Sequence, residues 1–269
     1  MCKPKIICTF VENMQDMKPK NENNASNLFQ RTEMLLGKEA VAALAGCRVA
    51  VFGVGGVGGY VVEVLARSGV GAIDIYDNDV VAPSNINRQI IATTSTIGRH
   101  KVDVAAERVR DINPACKVRS FKMFYVVANA DEVDLSQYDY VVDCIDTVSA
   151  KMELVRRCTR LGVPIICSMG AANKLDASAF RVADISDTDV DPLARIMRKK
   201  LRKEGINHFK CVFSKEQPRE PLEPCDDDEQ SKRPIPASNA WVPAAAGIVL
   251  GGEVVLDLVS APIKITATP

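Results

Sequence analysis

A cluster of glycines lies between an apolar segment and a helical pattern, in the sequence GVGGVG at residues 53–58. Glycines at this place permit a tight turn and let backbone N–H groups approach a phosphate at the N-terminus of the helix. Asp77 ends the next predicted strand, where a carboxylate can accept hydrogen bonds from ribose hydroxyls. Taken alone, this spacing fits a dinucleotide and an adenine nucleotide equally well. A glycine turn needed only for packing is the structural alternative.

The residues after the second predicted strand carry two cations and two acids. Arg88 lies in the sequence SNINRQ together with Asn85, and Lys101 ends the sequence GRHK. Asp79 precedes both, and Asp146 follows a later strand, in the sequence DCID. Arginine and lysine neutralise a triphosphate, and an aspartate holds its magnesium ion, whereas hydride transfer needs neither. The sequence therefore favours a nucleotidyl transferase over a dehydrogenase.

Strand and helix patterns alternate along the part of the chain that must position these residues. Two short helices are predicted between Asn27 and Leu44, and strands then alternate with helices as far as about Lys174. This alternation predicts an α/β fold with a mostly parallel central sheet, right-handed crossovers and a ligand crevice at the carboxyl ends of the strands. Beyond Lys174 we expect a strand, a basic helix, another strand and an apolar closing helix.

The composition limits the classes of protein to which the chain can belong. Lysine plus arginine and aspartate plus glutamate both number 34, so any nucleic-acid contact must come from a local patch. The nine cysteines include no C-x-x-C pair, which argues against a four-cysteine zinc site and favours a reducing compartment. No signal peptide is recognised, and no apolar run is judged to approach the roughly 20 residues of a membrane span. We expect a soluble cytoplasmic protein.

A helix predicted after residue 190 carries the densest positive charge in the chain. Ile196 and Met197 are assigned to its apolar face, and the cations are expected to face solvent. A solvated charged face is the common interpretation, and contact with a nucleic-acid backbone is the functional one, with Lys210 and Arg233 as neighbours. The five cations considered for this contact are Arg195, Arg198, Lys199, Arg202 and Lys203.

Several of these motifs together resemble one known superfamily. The combination of GVGGVG, DND, SNINRQ, GRHK and DCID is similar to the ubiquitin-activating-enzyme-like superfamily, whose members adenylate a carboxylate with ATP and magnesium. Within it, the sequences RTEMLLG, STIGRHKVDVAAERVRDINP, SMGAANKLD and FSKEQP resemble the tRNA threonylcarbamoyladenosine dehydratase branch. The likeness runs from about Arg31 to Val259. It implies a Rossmann-like three-layer fold and a single ThiF-type adenylation domain at residues 28–262. The composition, and not the resemblance, predicts a flexible arm at residues 1–27 and a mobile loop at about 215–236, which is long, acidic and rich in proline.

The resemblance implies an ATP-dependent cyclisation of threonylcarbamoyladenosine beside the anticodon of tRNA. In the chemistry of that family, the threonyl carboxylate attacks the α-phosphate of ATP and pyrophosphate leaves. The carbamoyl group of the same nucleoside then captures the activated acyl group, and AMP leaves. The second step needs no enzyme nucleophile because the attacking group is tethered within the substrate.

The resemblance also implies a role for each candidate residue. Arg88 and Lys101 would bind phosphates, Asp77 would hold the ribose, and Asp146 would coordinate Mg²⁺. Arg31 would reach the triphosphate of the partner subunit, which implies a homodimer, and a companion from a cysteine-desulfurase system is a further expected partner. The residues expected to cradle or support the nucleotide are Gly53, Gly55, Gly56, Gly58, Asp79 and Asn85.

Two other functions stay open at the level of sequence. The first is an adenylyltransferase that activates the C-terminal glycine of a ubiquitin-like sulfur carrier, although such relatives usually carry the C-x-x-C zinc pair that this sequence lacks. The second is a noncatalytic nucleotide-binding scaffold, which would be expected to lose Arg88, Lys101 or Asp146. Cys211 is predicted to be buried in a strand, and Cys225 lies among acids that would raise a thiol pKa, so neither is expected to be a nucleophile.

Overall fold

The computed structural model describes residues 27–223 and 236–260, and these residues form one seven-stranded sheet with helices on both faces. The strand order is β3-β2-β1-β4-β5-β7-β6, and every neighbouring pair is parallel except β6 with β7. The mostly parallel sheet predicted from the sequence is confirmed. The strands are β1 (Arg48–Phe52), β2 (Ala72–Tyr76), β3 (Lys117–Phe121), β4 (Tyr140–Asp143), β5 (Ile165–Ser168), β6 (Phe180–Asp184) and β7 (Lys210–Ser214).

The helices follow the periodic segments of the sequence. Two short helices precede β1, as predicted, and the helix that follows β4 ends just before Gly162, a C-cap in the left-handed conformation with φ 68°. The α-helices in the described part of the chain are α1 (Gln30–Leu36), α2 (Lys38–Gly46), α3 (Gly58–Arg67), α4 (Lys101–Ile112), α5 (Val148–Leu161), α6 (Pro192–Arg202) and α7 (Trp241–Ser260).

The buried strands separate two apolar cores, one on each face of the sheet. In β1, Val49 and Val51 belong to the core that includes residues of α3, α4 and α7, whereas Ala50 and Phe52 belong to the core that includes residues of α5 and α6. Successive side chains of a strand point to opposite faces, so a strand buried on both faces is apolar throughout. This explains why β1 gives a continuous apolar run and not an alternating pattern.

The chain order reverses between β1 and β4, and the strand ends are level at that point. Phe52 of β1 is in register with Tyr76 of β2 and with Asp143 of β4. The loops that follow these three strands therefore leave the sheet side by side. In an open α/β sheet, a ligand binds in the crevice that such diverging loops form.

The closing helix α7 is long and apolar enough to cross a membrane by length and composition, so the prediction that no apolar segment approaches that length was wrong. Half of its most apolar stretch is buried inside the protein. Its acidic residues Glu253 and Asp257 bind Lys210 of β7 at 2.6 and 2.7 Å. These contacts are those of a core helix of a folded domain. The sequence analysis placed Lys210 beside the basic helix at the nucleic-acid contact. In the structure, the Lys210 ammonium is instead paired with these two acids of α7.

Two of the predicted segments lie mostly outside the described residues. The proposed N-terminal arm at residues 1–27 reaches the described part only at Asn27, and the predicted mobile loop at 215–236 is described only up to Glu223 and again from Pro236. Cys225 and Arg233 fall between those two positions.

A candidate nucleotide-binding site

A cavity of about 550 Å³ opens at the carboxyl ends of β1, β2 and β4. Its walls include most of the residues that the sequence analysis singled out, although they come from distant parts of the chain. Gly58 and Arg31 are the candidates for nucleotide binding that are not among the lining residues. The predicted residues that line the cavity are Gly53, Gly55, Gly56, Asp77, Asp79, Asn85, Arg88, Lys101 and Asp146.

The glycines of the first loop serve different purposes. Gly53 has φ 87°, and a Cβ there would lie 2.8 Å from the carbonyl oxygen of Cys144. A Cβ on Gly58 would lie 1.8 Å from the carbonyl oxygen of Gly53. A Cβ on Gly55 would meet nothing closer than Nε2 of Gln89, at 3.9 Å. Gly53 and Gly58 are therefore required by the turn itself, whereas Gly55 leaves its backbone open to the cavity.

Asp77 fixes the glycine loop in addition to facing the cavity. Its Oδ2 accepts a hydrogen bond from the backbone N–H of Val54 at 2.7 Å, and its Oδ1 accepts one from the backbone N–H of Asp79 at 2.8 Å. A carboxylate oxygen has more than one lone pair, so these contacts leave acceptor capacity for a ribose hydroxyl. Asp77 lies at the cavity wall, and its contact with the glycine loop is a positioning role that the sequence did not reveal.

Lys101 is held at the cavity wall by an acid. It is the first residue of α4, its side chain is 7% exposed, and its Nζ lies 2.8 Å from Oδ2 of Asp79. A cation at the N-terminus of a helix is unfavourable unless an anion is near. Asp79 supplies that anion, and its carboxylate is 58% exposed. The arrangement keeps a charged lysine at the cavity, where a phosphate could share it.

Arg88 and Asn85 lie on the short turn that crosses the mouth of the cavity. Nη1 of Arg88 donates to the carbonyl oxygen of Ser84 at 2.7 Å and to Oδ1 of Asn87 at 2.9 Å. Oδ1 of Asn85 accepts from the backbone N–H of Ala82 at 3.1 Å, and Asn85 is buried. Asn85 thus closes the turn that presents Arg88, and the guanidinium retains donors for an anion in the cavity.

Asp146, like Asp77, has no cationic partner among the described residues, but unlike Asp77 it accepts no backbone hydrogen bond there. It is exposed, and its one described side-chain contact is a hydrogen bond from Oγ1 of Thr147 at 3.3 Å. No group of three or more histidine, cysteine, aspartate or glutamate residues that could hold a metal occurs in the described part of the chain. Mg²⁺ is commonly bound by one or two carboxylates together with substrate phosphates. A single free carboxylate at a cavity with two cations fits that kind of site.

Sequence reasoning missed part of the cavity wall. Met123, Phe124 and Tyr125 follow β3 and line the cavity beside Asp77, and Phe124 is 55% exposed. Burial raises the pKa of Tyr125 to about 12, so its hydroxyl stays protonated. The signal that could have found these residues is their place at the carboxyl end of a strand next to β2. Gln89 also lines the cavity and is buried; it ends the SNINRQ motif, but the sequence analysis assigned it no role.

The cysteines of the described residues have no features of nucleophiles. Cys144 lies just after β4, is half-buried and lines the cavity. Burial raises its pKa to about 12, and burial does the same for Cys211 in β7. Cys211 is fully buried, as predicted. A thiol with so high a pKa is not activated for attack.

The basic helix α6 confirms part of its prediction and corrects two residues. The five cations considered for nucleic-acid contact, four in α6 and Lys203 at its end, surround a depression of about 450 Å³. Arg198 was expected to face solvent, but it is half-buried, and its Nη1 donates to Oγ1 and, at 2.8 Å, to the carbonyl oxygen of Thr188. Ile196 was assigned to the apolar face but is 42% exposed, whereas Met197 and Leu201 are fully buried. The buried face of α6 is narrow, so Ile196 lies outside it and is exposed to solvent.

Arg31 lies on helix α1 and is not among the residues that line the cavity of its own chain. Arg31 is exposed, and none of the residues of α1 is buried. Met34 and Leu35 on the same helix are 82% and 83% exposed. A short helix with no buried residue is poorly stabilised by its own chain, because packing supplies most of the stability of such helices.

Comparisons with known proteins agree with this geometry. The ThiF family model matches residues 29–259. A tRNA threonylcarbamoyladenosine dehydratase of Bacillus subtilis (strain 168) is 46% identical over 238 residues, which are 86% of this chain and 94% of that protein. The crystal structure of the E. coli tRNA N6-threonylcarbamoyladenosine dehydratase in complex with AMP has a TM-score of 0.78 and 33% identity, covering 86% of this chain and 94% of that one. The same E. coli enzyme in complex with ATP has a TM-score of 0.76 and 32% identity, covering 86% and 93%.

Proposed function

The chain belongs to the ThiF family, and we propose that it is an ATP-dependent tRNA threonylcarbamoyladenosine dehydratase. Its substrate is tRNA that carries threonylcarbamoyladenosine next to the anticodon, and its product is the cyclised nucleoside. The Bacillus subtilis relative with this name is matched over 94% of its length, so the likeness is not confined to a shared nucleotide-binding half.

The observation that carries the proposal is the convergence of charged groups on one cavity. Two cations, Arg88 and Lys101, and the exposed carboxylate of Asp146 meet beside a glycine turn whose backbone is open at Gly55. A carboxylate-adenylating enzyme needs this set, because it must hold a triphosphate while a second anion, the substrate carboxylate, approaches it.

Each residue at the cavity then has a defined task with ATP. Backbone N–H groups of the glycine loop donate to phosphate oxygens, and Asp77 accepts from the ribose hydroxyls. Arg88 and Lys101 offset the charge of the phosphates, and Lys101 can exchange its contact with Asp79 for one with a phosphate. Asp146 would hold Mg²⁺. When bound, that ion would supply further charge neutralisation at the phosphates.

The reaction consists of two successive nucleophilic attacks, the first at phosphorus and the second at the acyl carbon. An oxygen of the threonyl carboxylate forms a bond to the α-phosphorus, the bond from that phosphorus to the bridging oxygen breaks, and pyrophosphate leaves with the electron pair. The carbamoyl group then bonds to the acyl carbon, loses one proton, and displaces AMP. The nucleoside loses one water overall, and ATP becomes AMP and pyrophosphate. The raised pKa of the Cys144 thiol at the cavity agrees with a mechanism that uses no enzyme thiolate.

Homodimer formation through α1 is part of the proposal. Met34 and Leu35 expose apolar surface on a helix that buries none of its own residues. Covering this surface with a second copy would stabilise α1 and would bring Arg31 toward the partner's cavity. A cation delivered in this way stabilises the charge that develops on the phosphates during transfer.

The basic surface of α6 is proposed to contact the tRNA backbone. Arg195, Lys199, Arg202 and Lys203 are exposed around one depression, whereas Arg198 is engaged with Thr188. In a chain with no net charge, this local density of cations supplies the electrostatic attraction that binding to phosphates requires.

Two further expectations complete the proposal. We place the protein in a reducing cytoplasm, and the free state of the cysteines in the described residues supports this. A companion from a cysteine-desulfurase system stays a prediction, with no contact surface assigned to it.

The test is a nucleoside mass measurement. Purified protein is incubated with ATP, Mg²⁺ and tRNA carrying threonylcarbamoyladenosine, and the digested nucleosides are weighed by mass spectrometry. The expected result is loss of one water, abolished by Asp146→Asn and retained by Asp131→Asn, which changes an acid that is 99% exposed and does not line the cavity. An unchanged nucleoside, in a preparation that exchanges pyrophosphate into ATP when given a ubiquitin-like carrier, would support carrier activation instead.

A further inference from the structure

A fully buried ion pair lies directly beneath the turn that carries Asp146. Nζ of Lys151 in α5 is 2.9 Å from Oδ2 of Asp143 at the end of β4, and both side chains have no exposed surface. Charges buried in this way are costly unless they are paired, and they are often replaceable by apolar residues without loss of stability. Neither residue touches the reacting groups in the proposed mechanism, so the pair needs another explanation.

The ion pair binds both the N–H and the carbonyl oxygen of Ile145, the residue just before Asp146. Nζ of Lys151 donates to the carbonyl oxygen of Ile145 at 2.9 Å, and the N–H of Ile145 donates to Oδ1 of Asp143 at 3.1 Å. The preceding residue is fixed as well, because the N–H of Cys144 donates to the carbonyl oxygen of Phe52 at 2.8 Å. The described backbone hydrogen bonds of Cys144 and Ile145, the two residues before Asp146, therefore involve only strand ends and this lysine.

Asp146 itself has little to hold it in place. Its carboxylate is exposed, and its one described side-chain contact is the 3.3 Å hydrogen bond from Thr147. We propose that Lys151 is a positioning residue, which acts through Asp143 and the carbonyl oxygen of Ile145 to fix Asp146 for the magnesium ion of bound ATP. This inference rests on the proposed function. Partners that orient a metal ligand commonly change metal affinity when they are removed.

A second buried pair in the same molecule provides a matched control. Nζ of Lys174 lies 3.1 Å from Oδ2 of Asp191, and both side chains are again without exposed surface. The chemistry is parallel, since Lys174 donates to the carbonyl oxygen of Gly170 at 2.6 Å and Asp191 accepts from the N–H of Ala194 at 2.9 Å. This pair supports the start of α6 and has no hydrogen bond to the turn before Asp146.

The experiment compares two charge-neutral double variants of the full chain. Asp143→Asn with Lys151→Met removes the first pair, and Asp191→Asn with Lys174→Met removes the second. In each variant, the asparagine Oδ1 can keep the backbone hydrogen bond of the aspartate, and no charge is left unpaired. Melting temperature is measured first. Calorimetry then gives the affinity for α,β-methylene-ATP, which cannot release pyrophosphate, in EDTA and in saturating Mg²⁺.

If Lys151 positions Asp146, removing the pair should reduce only the affinity for the ATP analogue that depends on Mg²⁺. In EDTA, Asp143→Asn with Lys151→Met binds the analogue as the natural protein does, whereas the gain in affinity caused by Mg²⁺ falls by about tenfold or more. The Lys174 control keeps the full gain. Full Mg²⁺-dependent gain in the Lys151 double variant, or an equal loss in both double variants, would overturn the inference.

Two further outcomes are also decisive. If the Lys151 double variant does not fold, Lys151→Arg keeps a charged donor but places its nitrogen atoms in a planar fork. A reduced Mg²⁺-dependent gain is then expected, and an unchanged gain overturns the inference. Failure of the natural protein to bind the analogue in either condition would instead refute the proposed function and remove the basis of the inference.

Discussion

Two glycines of the same loop are expected to respond in opposite ways to the addition of one methyl group. A Cβ on Gly58 would lie 1.8 Å from the carbonyl oxygen of Gly53, so Gly58→Ala forces the turn to move. Overpacking of this kind costs about 3 kcal/mol at the upper end of the usual range. At roughly 2–4 °C per kcal/mol for a chain of this size, the melting temperature should fall by about 6–12 °C.

Gly55→Ala should change binding and not stability. Its Cβ would meet no atom closer than 3.9 Å, and its φ is not in the left-handed region, so the folded protein should keep or gain about 0.4–1 kcal/mol of stability. The methyl group would occupy the space through which the loop approaches a phosphate. Loss of one hydrogen bond to a charged group costs about 1.5–3 kcal/mol, which weakens ATP binding by roughly 10- to 150-fold.

Thermal unfolding and calorimetric titration of ATP on both variants test this contrast. The natural protein and Gly252→Ala, whose added Cβ would meet nothing within 4 Å and which lies on α7 away from the cavity lining, serve as controls. Unweakened ATP binding by a stable Gly55→Ala protein would refute the assignment of this glycine to the phosphates. An unchanged melting temperature for Gly58→Ala would refute the steric reasoning about the turn.

Three further predictions concern the acid, the dimer and the tRNA surface. Asp146→Asn should lower ATP-dependent AMP formation about 10²- to 10³-fold with little change in melting temperature; wild-type turnover would contradict its role. Inactive Arg31→Ala and Asp146→Asn proteins, mixed in equal amounts and allowed to exchange subunits, should regain about a quarter of natural turnover. Half of the dimers are then mixed, and each mixed dimer has one complete site out of two. No recovery after subunit exchange would exclude an arginine that acts in trans. Lys199→Ala with Arg202→Ala should weaken tRNA binding and lower the salt dependence by about one unit per cation removed, and an unchanged salt slope in a filter-binding titration would place the tRNA elsewhere.

Some parts of the fold could be predicted because their signals are local in the chain. The alternation of apolar strands with helical patterns depends on neighbouring residues, and it gave the mostly parallel sheet correctly. The end of a strand is not a local signal: β3 ends at Phe121, and Met123, Phe124 and Tyr125 just beyond it line the cavity. Pairing with β2 limits the strand, and that pairing depends on a distant part of the chain.

The sequence by itself determined the chemistry of the site. The glycine loop, Asp77 and Asp146 follow parallel strands, whose carboxyl ends must meet at one edge of the sheet, whereas Arg88 and Lys101 lie on the segment between β2 and α4 and at the start of α4. Their roles with ATP remain predictions, although their convergence on one cavity is a property of the fold.

Tertiary structure alone decided which charges are free and which are held. Arg198 and Lys199 are adjacent in sequence, yet only Lys199 is exposed, because Thr188 binds Arg198. In the sequence, Lys151 cannot be distinguished from an exposed lysine of a helix. The packing of α5 on β4 buries it against Asp143, under the turn that carries Asp146. The energy of a charge depends on its burial and on its partners, and both are fixed by residues far away in the sequence.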